Sequence, residues 1–397
     1  MAAGADSIDD MDLLRHGAMP DLFGGIRAPS TLGSHLRSFS WGNVRQLETV
    51  NRELLGELAR RAPLLPGRET LAFIDIDAMQ KRVYGHSKQG AGFGHAKIGG
   101  KSLLVRGLNA LAATISTPLG APVIAATRLR GGTANSARGA ARFAAEAIST
   151  ARATGCGGLL IVRADSAYYS AAFCGAVRRG GARFSVTVPM DPKIAAAIAA
   201  IGEGAWTAIR YPRAIWDEQL RCWASGAQVA ETEDTAFASR KGQAITARLI
   251  VRRVRDLARQ DELFPVWRYH AVFTDSPVEL VQAEEQHRDH AVAEQVFADW
   301  TDGPLAHLPS GFFPANAAWL ACAAIAHNLL RAAGSPASLA YGKARGATIR
   351  RDLIDVAGRI ARHGRGHITL HLPGGWHREH EWLALFAAAC GPPAAPA

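Results

Sequence analysis

Three carboxylates stand at the ends or faces of apolar elements: Asp77 in LAFIDIDAM, Asp165 in GLLIVRADSAYY and Glu294 in HRDHAVAEQVFADW. Carboxylate oxygens are hard donors that suit Mg²⁺, which keeps open positions for water and phosphate. Acids on separate elements can hold two such ions about 4 Å apart, the arrangement for in-line phosphoryl displacement. If LAFIDID is a strand, Leu71, Phe73, Asp75 and Asp77 share one face, with the two aspartates roughly 7 Å apart. Asp77, nearer the strand's end, is the first choice as a ligand; Asp75 remains a same-face rival. Asp165 follows four large apolar residues, so the buried backbone surfaces at its carboxylate. Asp165 or Ser166 could also cap a helix starting at Ala167. Glu294 belongs to a helix whose apolar stripe is Val292, Val296, Phe297 and Trp300. His287, His290, Glu294 and Thr301 form a second stripe.

Weaker signals fall away. His287, His290 and Glu294 imitate a zinc triad but lack a fourth ligand or an HExxH arrangement. Gly90, Gly92 and Gly94 do not lie between a strand and a helix, and read as a hairpin rather than a phosphate loop. No GxSxG elbow accompanies Ser166.

The elements that must position these acids are legible in outline. A helix over 6–17, with Ser7 as N-cap, and a second over 42–61 precede the strand pattern that starts near residue 70. KSLLVRGLNALAATIS and APVIAATRLR supply further strands. A helix over 137–154, the buried strand LLIV, a helix from Ala167 to Arg179 and the strand SVTVP follow. This order predicts an α/β fold with a mixed sheet. Residues 191–263 turn to alternating β-branched and aromatic patterns. RYHAVFTD resumes the apolar strands, and a long helix is expected from near Gln286. ANAAWLACAAIAHNLLRAAG reads as a buried core helix, not a membrane span.

The chain has 397 residues and a formal charge of +10, which points to an anionic partner such as nucleic acid. Residues 341–367 carry seven Lys/Arg against two Asp, half of that excess. Five scattered cysteines, never spaced CxxC, argue against a disulfide framework and suit a reducing cytoplasm. The N-terminus has no signal-peptide pattern, so a soluble intracellular protein is expected. Lys88, Lys97, Lys101, Arg128, Arg130 and Arg138 flank the acidic strands as candidate phosphate contacts.

The stretches FIDIDAMQKRVYGHSKQGAGFGHAKI, VRADSAYYS, WRYHAVFTDSP, HRDHAVAEQVFADW and LAHLPSGFFPANAAWLACAAIAHNL are long and idiosyncratic. Through them, and almost end to end, the chain resembles bacterial insertion-sequence DDE transposases of the group numbered 1380. The resemblance implies an RNase H-like catalytic domain, an α/β mixed sheet flanked by helices, with a β-rich insertion between the second and third acids. The expected division is a partial N-terminal helical region over 1–65, a split catalytic domain over 66–190 and 264–335, the insertion over 191–263, and a basic C-terminal region over 336–397.

Asp77, Asp165 and Glu294 would be the three acids and metal ligands, 88 and 129 residues apart, with Asp75 in support. The implied cofactor is a pair of Mg²⁺ ions, or Mn²⁺ in their place. The implied partners are double-stranded DNA, as terminal inverted repeats and target, and a second copy on paired ends. The implied location is the cytoplasm of a bacterium, at the nucleoid, with no membrane association. The related Y-(2)-R-(3)-E-(6)-K signature falls on His287, His290, Glu294 and Thr301, keeping only the glutamate. Arg288 and protonated His287 and His290 would then join Lys97, Lys101, Arg128 and Arg130 in contacting DNA. The start of the chain resembles the interior of the family's N-terminal region, so a shortened copy is expected. An end-binding relative without catalysis and an RNase H-fold nuclease are the alternatives.

Overall fold

The computed structural model describes residues 1–391 apart from 213–214, 219–220, 256–265 and 367. Helices α1 (Met19–Leu22), α2 (Pro29–Arg37) and α3 (Trp41–Arg61) lead into strands β1 (Leu71–Arg82), β2 (Gly92–Ile98), β3 (Lys101–Thr117) and β4 (Gly120–Arg130). Then come α4 (Ala140–Ala153), β5 (Leu159–Ala164), α5 (Ala171–Arg179), β6 (Arg183–Thr187) and α6 (Pro192–Ala199). The β-rich stretch supplies β7 (Thr207–Ala208), β8 (Ile215–Asp217), β9 (Cys222–Ala224), β10 (Ala227–Ala236) and β11 (Ile245–Arg255), followed by β12 (Trp267–Thr274). Helices α7 (Leu280–Arg288), α8 (Val292–Thr301), α9 (Phe313–Ala337), α10 (Leu339–Lys343) and α11 (Gly346–Ile349) follow. The hairpin β13 (Arg359–Arg362) and β14 (Ile368–His371) and helix α12 (Glu379–Cys390) close the described chain.

Ten strands form one sheet in the order β2-β3-β1-β5-β6-β12-β11-β10-β7, with β4 also on β3. Strands β1, β5 and β6 run parallel, while β3 is antiparallel to both β1 and β4. The stretch β4-β3-β1-β5-β6 is the RNase H-like mixed sheet, flanked by helices. Between the second and third acids, β10 and β11 prolong this same sheet through β12, pairing antiparallel throughout.

Alternation sorts each strand between two helical layers. On β1, Ile74 and Ile76 face a core shared with Phe143 of α4 and Phe173 of α5. Ala110 and Ala112 of β3 face the opposite layer, with Val296 and Trp300 of α8 and Trp319 of α9. Helix α3 starts at a reciprocal cap: Asn43 N–H donates to Ser40 Oγ at 3.3 Å and Ser40 N–H to Asn43 Oδ1 at 3.0 Å. Helix α9 has Asn328 fully buried, and the reason is the sheet: the side chain accepts from Ile124 N–H at 2.7 Å and donates to its carbonyl at 2.9 Å.

Three helical expectations change. The segment near 6–17 is a 3₁₀ turn over Asp9–Arg15. The helix expected from Ala167 is a 3₁₀ turn over Ser166–Tyr168 and then α5, because Ser170 Oγ accepts from Phe173 N–H and caps a fresh start. The long helix expected from Gln286 is broken by a 3₁₀ turn over Asp289–Ala291. There His290 Nδ1 hydrogen-bonds the His287 carbonyl at 2.7 Å, in place of a regular ladder contact. The stripe from His287 to Thr301 is therefore not continuous. No described helix is long and apolar enough to cross a membrane.

Candidate active site

The last rung of the β1–β5 ladder joins Ile76 to Ala164, after Asp75 to Arg163. One step further along both strands come Asp77 and Asp165, so the two acids end side by side on neighbouring parallel strands, about 5 Å apart at the backbone. Asp77 is half-buried and accepts from the Ala78 N–H at 2.6 Å. Asp165 is exposed and caps the Ser166–Tyr168 turn by accepting from Ala167 N–H at 2.9 Å.

Tyr168 is buried next to this pair. Burial pushes its hydroxyl well above the usual range, the negative charges of Asp77 and Asp165 add to the rise, and the Arg130 guanidinium opposes it. The phenol is thus a neutral wall beside the acids.

Glu294 is exposed in the first turn of α8. Two contacts bracket its position against β1. Arg163, beside Asp75, donates to the Gln286 carbonyl, and Thr301 Oγ1 lies 3.6 Å from Met79 Sδ. Glu294 sits on the segment between those anchors, eight residues after the first and seven before the second. Asp75, Asp77 and Met79 share a face of β1, so α8 crosses the face that carries the aspartates. Among the described residues no three His, Cys, Asp or Glu side chains gather closely enough to hold one ion. The donor set is nevertheless oxygen only, which fits a hard divalent ion rather than zinc.

Asp75 has other work. The Arg163 guanidinium grips it with Nε at 2.6 Å and Nη2 at 2.8 Å, and both side chains are 2% exposed. The same guanidinium lies 4.1 Å from the centre of the Phe73 ring. Both carboxylate oxygens of Asp75 are engaged, which leaves Asp77 as the acid of β1 that faces outward. Sequence reasoning missed Arg163, although an arginine inside the apolar run LLIVRA already demands a buried partner.

The expected phosphate contacts divide. Arg128 pairs with Glu146 at 2.7 Å and Glu48 at 3.4 Å, tying β4 to α4 and α3. Arg130 is buried and donates to Asn109 and to the carbonyls of Asn135, Ser136 and Arg138. His287 is buried between Ser185 and Thr187, each 2.9 Å away, and burial drives its pKa far down, so it is neutral. All three are taken up by the protein itself: carboxylates remote in sequence hold Arg128, hydroxyls remote in sequence hold His287, and Asn109 with a neighbouring turn holds Arg130. Lys88, too, is tied down, donating to the carbonyls of Leu308 and Ser310.

Arg288 is half-buried, 3.7 Å from Glu284 and over the Tyr211 ring. His290 is engaged at the helix break. Lys101 is exposed, and the Lys97 side chain lies outside the described residues. Lys81 was not foreseen: it shares the face of Asp77, and burial lowers its pKa. Period-two counting from Asp77 would have found it. A cleft of about 620 Å³ opens on the same sheet face, but at the other end of β1, beside Leu71 and Phe73.

The family model described as "Transposase DDE domain group 1" matches residues 1–389. The chain belongs to that transposase DDE-domain family. No curated protein matches it. Solved structures that match include the cryo-EM structure of the piggyBac transposase synaptic complex with hairpin DNA, at 10% identity, a TM-score of 0.37, and coverage of 70% of this chain and 51% of that one. The chain therefore spans about half the length of that transposase.

Proposed function

We propose that this DDE-family chain is the transposase of a bacterial insertion sequence of the group numbered 1380, cutting DNA at the element's ends and joining the freed 3′-hydroxyl to target DNA. The observation that carries the reading is the adjacency of Asp77 and Asp165 at the ends of β1 and β5, with α8 bringing Glu294 across the same face. These three carboxylates would hold a pair of Mg²⁺ ions, or Mn²⁺. Such ions, when bound, activate the attacking oxygen and stabilise the leaving oxygen of an in-line displacement. The protein's own contribution is placement. Arg163 locks Asp75 and the Gln286 carbonyl, so β1, β5 and the approach to α8 keep one geometry. Tyr168 stays neutral and excludes water from one side of the acid pair. Two copies on paired ends complete the assembly.

The test is a strand-transfer assay with Mg²⁺ and oligonucleotides carrying the element's ends. Wild-type product is expected, with none from Asp77→Asn, Asp165→Asn or Glu294→Gln. Product persisting in any of the three refutes the three-acid reading. A second reading, an end-binding protein without catalysis, draws on His290 and Thr301, which stand where the resemblance expects cations. Salt-sensitive end binding without cleavage, even in Mn²⁺, would favour it.

A further inference from the structure

Between Asp77 and Glu146 the sequence contains no carboxylate, yet it holds Lys81, Arg82, Lys88, Lys97, Lys101 and Arg106 within its first thirty residues. Most of that stretch is one hairpin. Strand β2 pairs with the first half of β3, and Gly99 and Gly100, with φ of +56° and +77°, close the two-residue turn.

Glycines fix how the hairpin stands. A Cβ on Gly92 would lie 2.7 Å from Thr133 Cγ2, and one on Gly94 would lie 2.7 Å from the Gly132 carbonyl. One on Gly132 would meet Gly107 and Gly92 backbone atoms at 2.1–2.5 Å. This bare face is pressed against the Gly131–Thr133 turn. At the hairpin's base Arg106 donates to the carbonyls of Gly85 and His86 at 2.7 and 3.2 Å.

The opposite face is open, and the register says which face it is. Phe93 pairs with Arg106 and His95 with Leu104. Leu104 and Arg106 share their side of β3 with Leu108, Ala110 and Ala112, which lie across from Lys81, Met79 and Asp77. The acid-bearing face of the sheet thus continues into the hairpin, where Phe93 and Leu104 are each 61% exposed. Large apolar side chains on a hairpin that carries Arg106 opposite Phe93 and Lys101 at its turn, with no carboxylate near them in sequence, need an occupant that is both anionic and partly apolar. A second copy of the same hairpin would bring like charges together. Duplex DNA offers phosphates to the cations and a groove to the apolar pair.

We propose that the β2–β3 hairpin is a DNA-docking finger that lays Phe93 and Leu104 into the minor groove of the duplex held over Asp77 and Asp165. The proposal rests on the DNA-acting reading above and adds a distance to it. Arg106, opposite Phe93, is six residues along β3 from the level of Asp77, and Leu104 is eight. These steps span about 20 and 27 Å, or roughly six to eight base pairs from the reacting phosphate.

The experiment uses the full chain and a labelled duplex. A photoreactive benzoylphenylalanine introduced at Phe93 should cross-link to DNA, whereas one at Leu339, which is 93% exposed, should not. The double variant Phe93→Ala/Leu104→Ala should keep the wild-type melting temperature and lose roughly tenfold in affinity with an unchanged salt slope. Lys101→Ala should lower that slope by about one. Protein–protein cross-links at Phe93 in place of DNA cross-links would assign the face to a second copy and overturn the proposal. Unchanged affinity without DNA cross-links would also overturn it while leaving the DNA-acting reading intact. A wild-type chain that binds no duplex would remove both.

Discussion

Replacing Arg163 with methionine strips the buried Asp75 carboxylate of the guanidinium that pairs with it. In the wild type two N–H···O bonds, at 2.6 and 2.8 Å, join Arg163 to Asp75, with both side chains 2% exposed. Removing one member of such a pair costs about 3–5 kcal/mol. The Gln286 carbonyl also loses the Arg163 donor, adding about 1 kcal/mol. The expected loss for Arg163→Met is thus about 4–6 kcal/mol, which at roughly 2 °C per kcal/mol lowers the melting temperature by about 8–12 °C. The double variant Asp75→Leu/Arg163→Met leaves no unpaired charge and should return to within about 2 kcal/mol of wild type. Urea unfolding followed by tryptophan fluorescence, run as a double-mutant cycle, measures both. A single-variant loss below about 1 kcal/mol, or a double variant as damaged as the sum of the singles, would refute the reasoning.

Asp165→Asn should abolish cleavage with little change in melting temperature, because asparagine caps the Ser166–Tyr168 turn as well as aspartate does; Asp165→Ala should lose activity and some stability together. For His327, burial pushes the pKa down to about 4 from the 6.5 of an exposed ring. Below pH 6.5 the unfolded chain takes up a proton that the folded one refuses, so stability should fall as pH drops from 6.5 towards 4 and level off beneath, by about 3 kcal/mol in all. His327→Gln should flatten that acid limb in melting curves recorded across the window, and an unchanged limb would exclude the ring as its source. Asn328→Ala should cost about 2–4 kcal/mol in unfolding experiments, since the Ile124 N–H and carbonyl both lose their buried partner.

How much of this was legible differs from residue to residue. Asp77 and Asp165 could be placed because each ends an apolar run, and a run of that kind buries its backbone wherever it folds. That they end on adjacent strands is a matter of register, which depends on pairing across 88 residues. Asp75 stayed a same-face rival to Asp77 because alternation is blind to partners; Arg163, on the neighbouring strand, engages Asp75 and not Asp77. Arg128 and Arg130 illustrate the reverse error. Cations on a strand near acids read as a binding surface, but α3 and α4 bring Glu48 and Glu146 to Arg128, and a neighbouring turn turns its carbonyls to Arg130. The break between α7 and α8 was hidden because apolar spacing carries on through it, while the local hydrogen bond of His290 does not show in periodicity.

The pairing of Asn328 and His327 with β4 bears on how this protein avoids wrong assemblies. Ile124 turns both its backbone groups away from β3, and the Pro122 carbonyl accepts from His327 at 3.0 Å. Two side chains of one helix thereby imitate the strand that would otherwise lie alongside. An open strand edge is a template for any extended chain, including a partly folded copy of the same protein. With the Ile124 N–H and the Ile124 and Pro122 carbonyls already answered from within, an extended chain approaching this part of β4 finds those ladder positions taken.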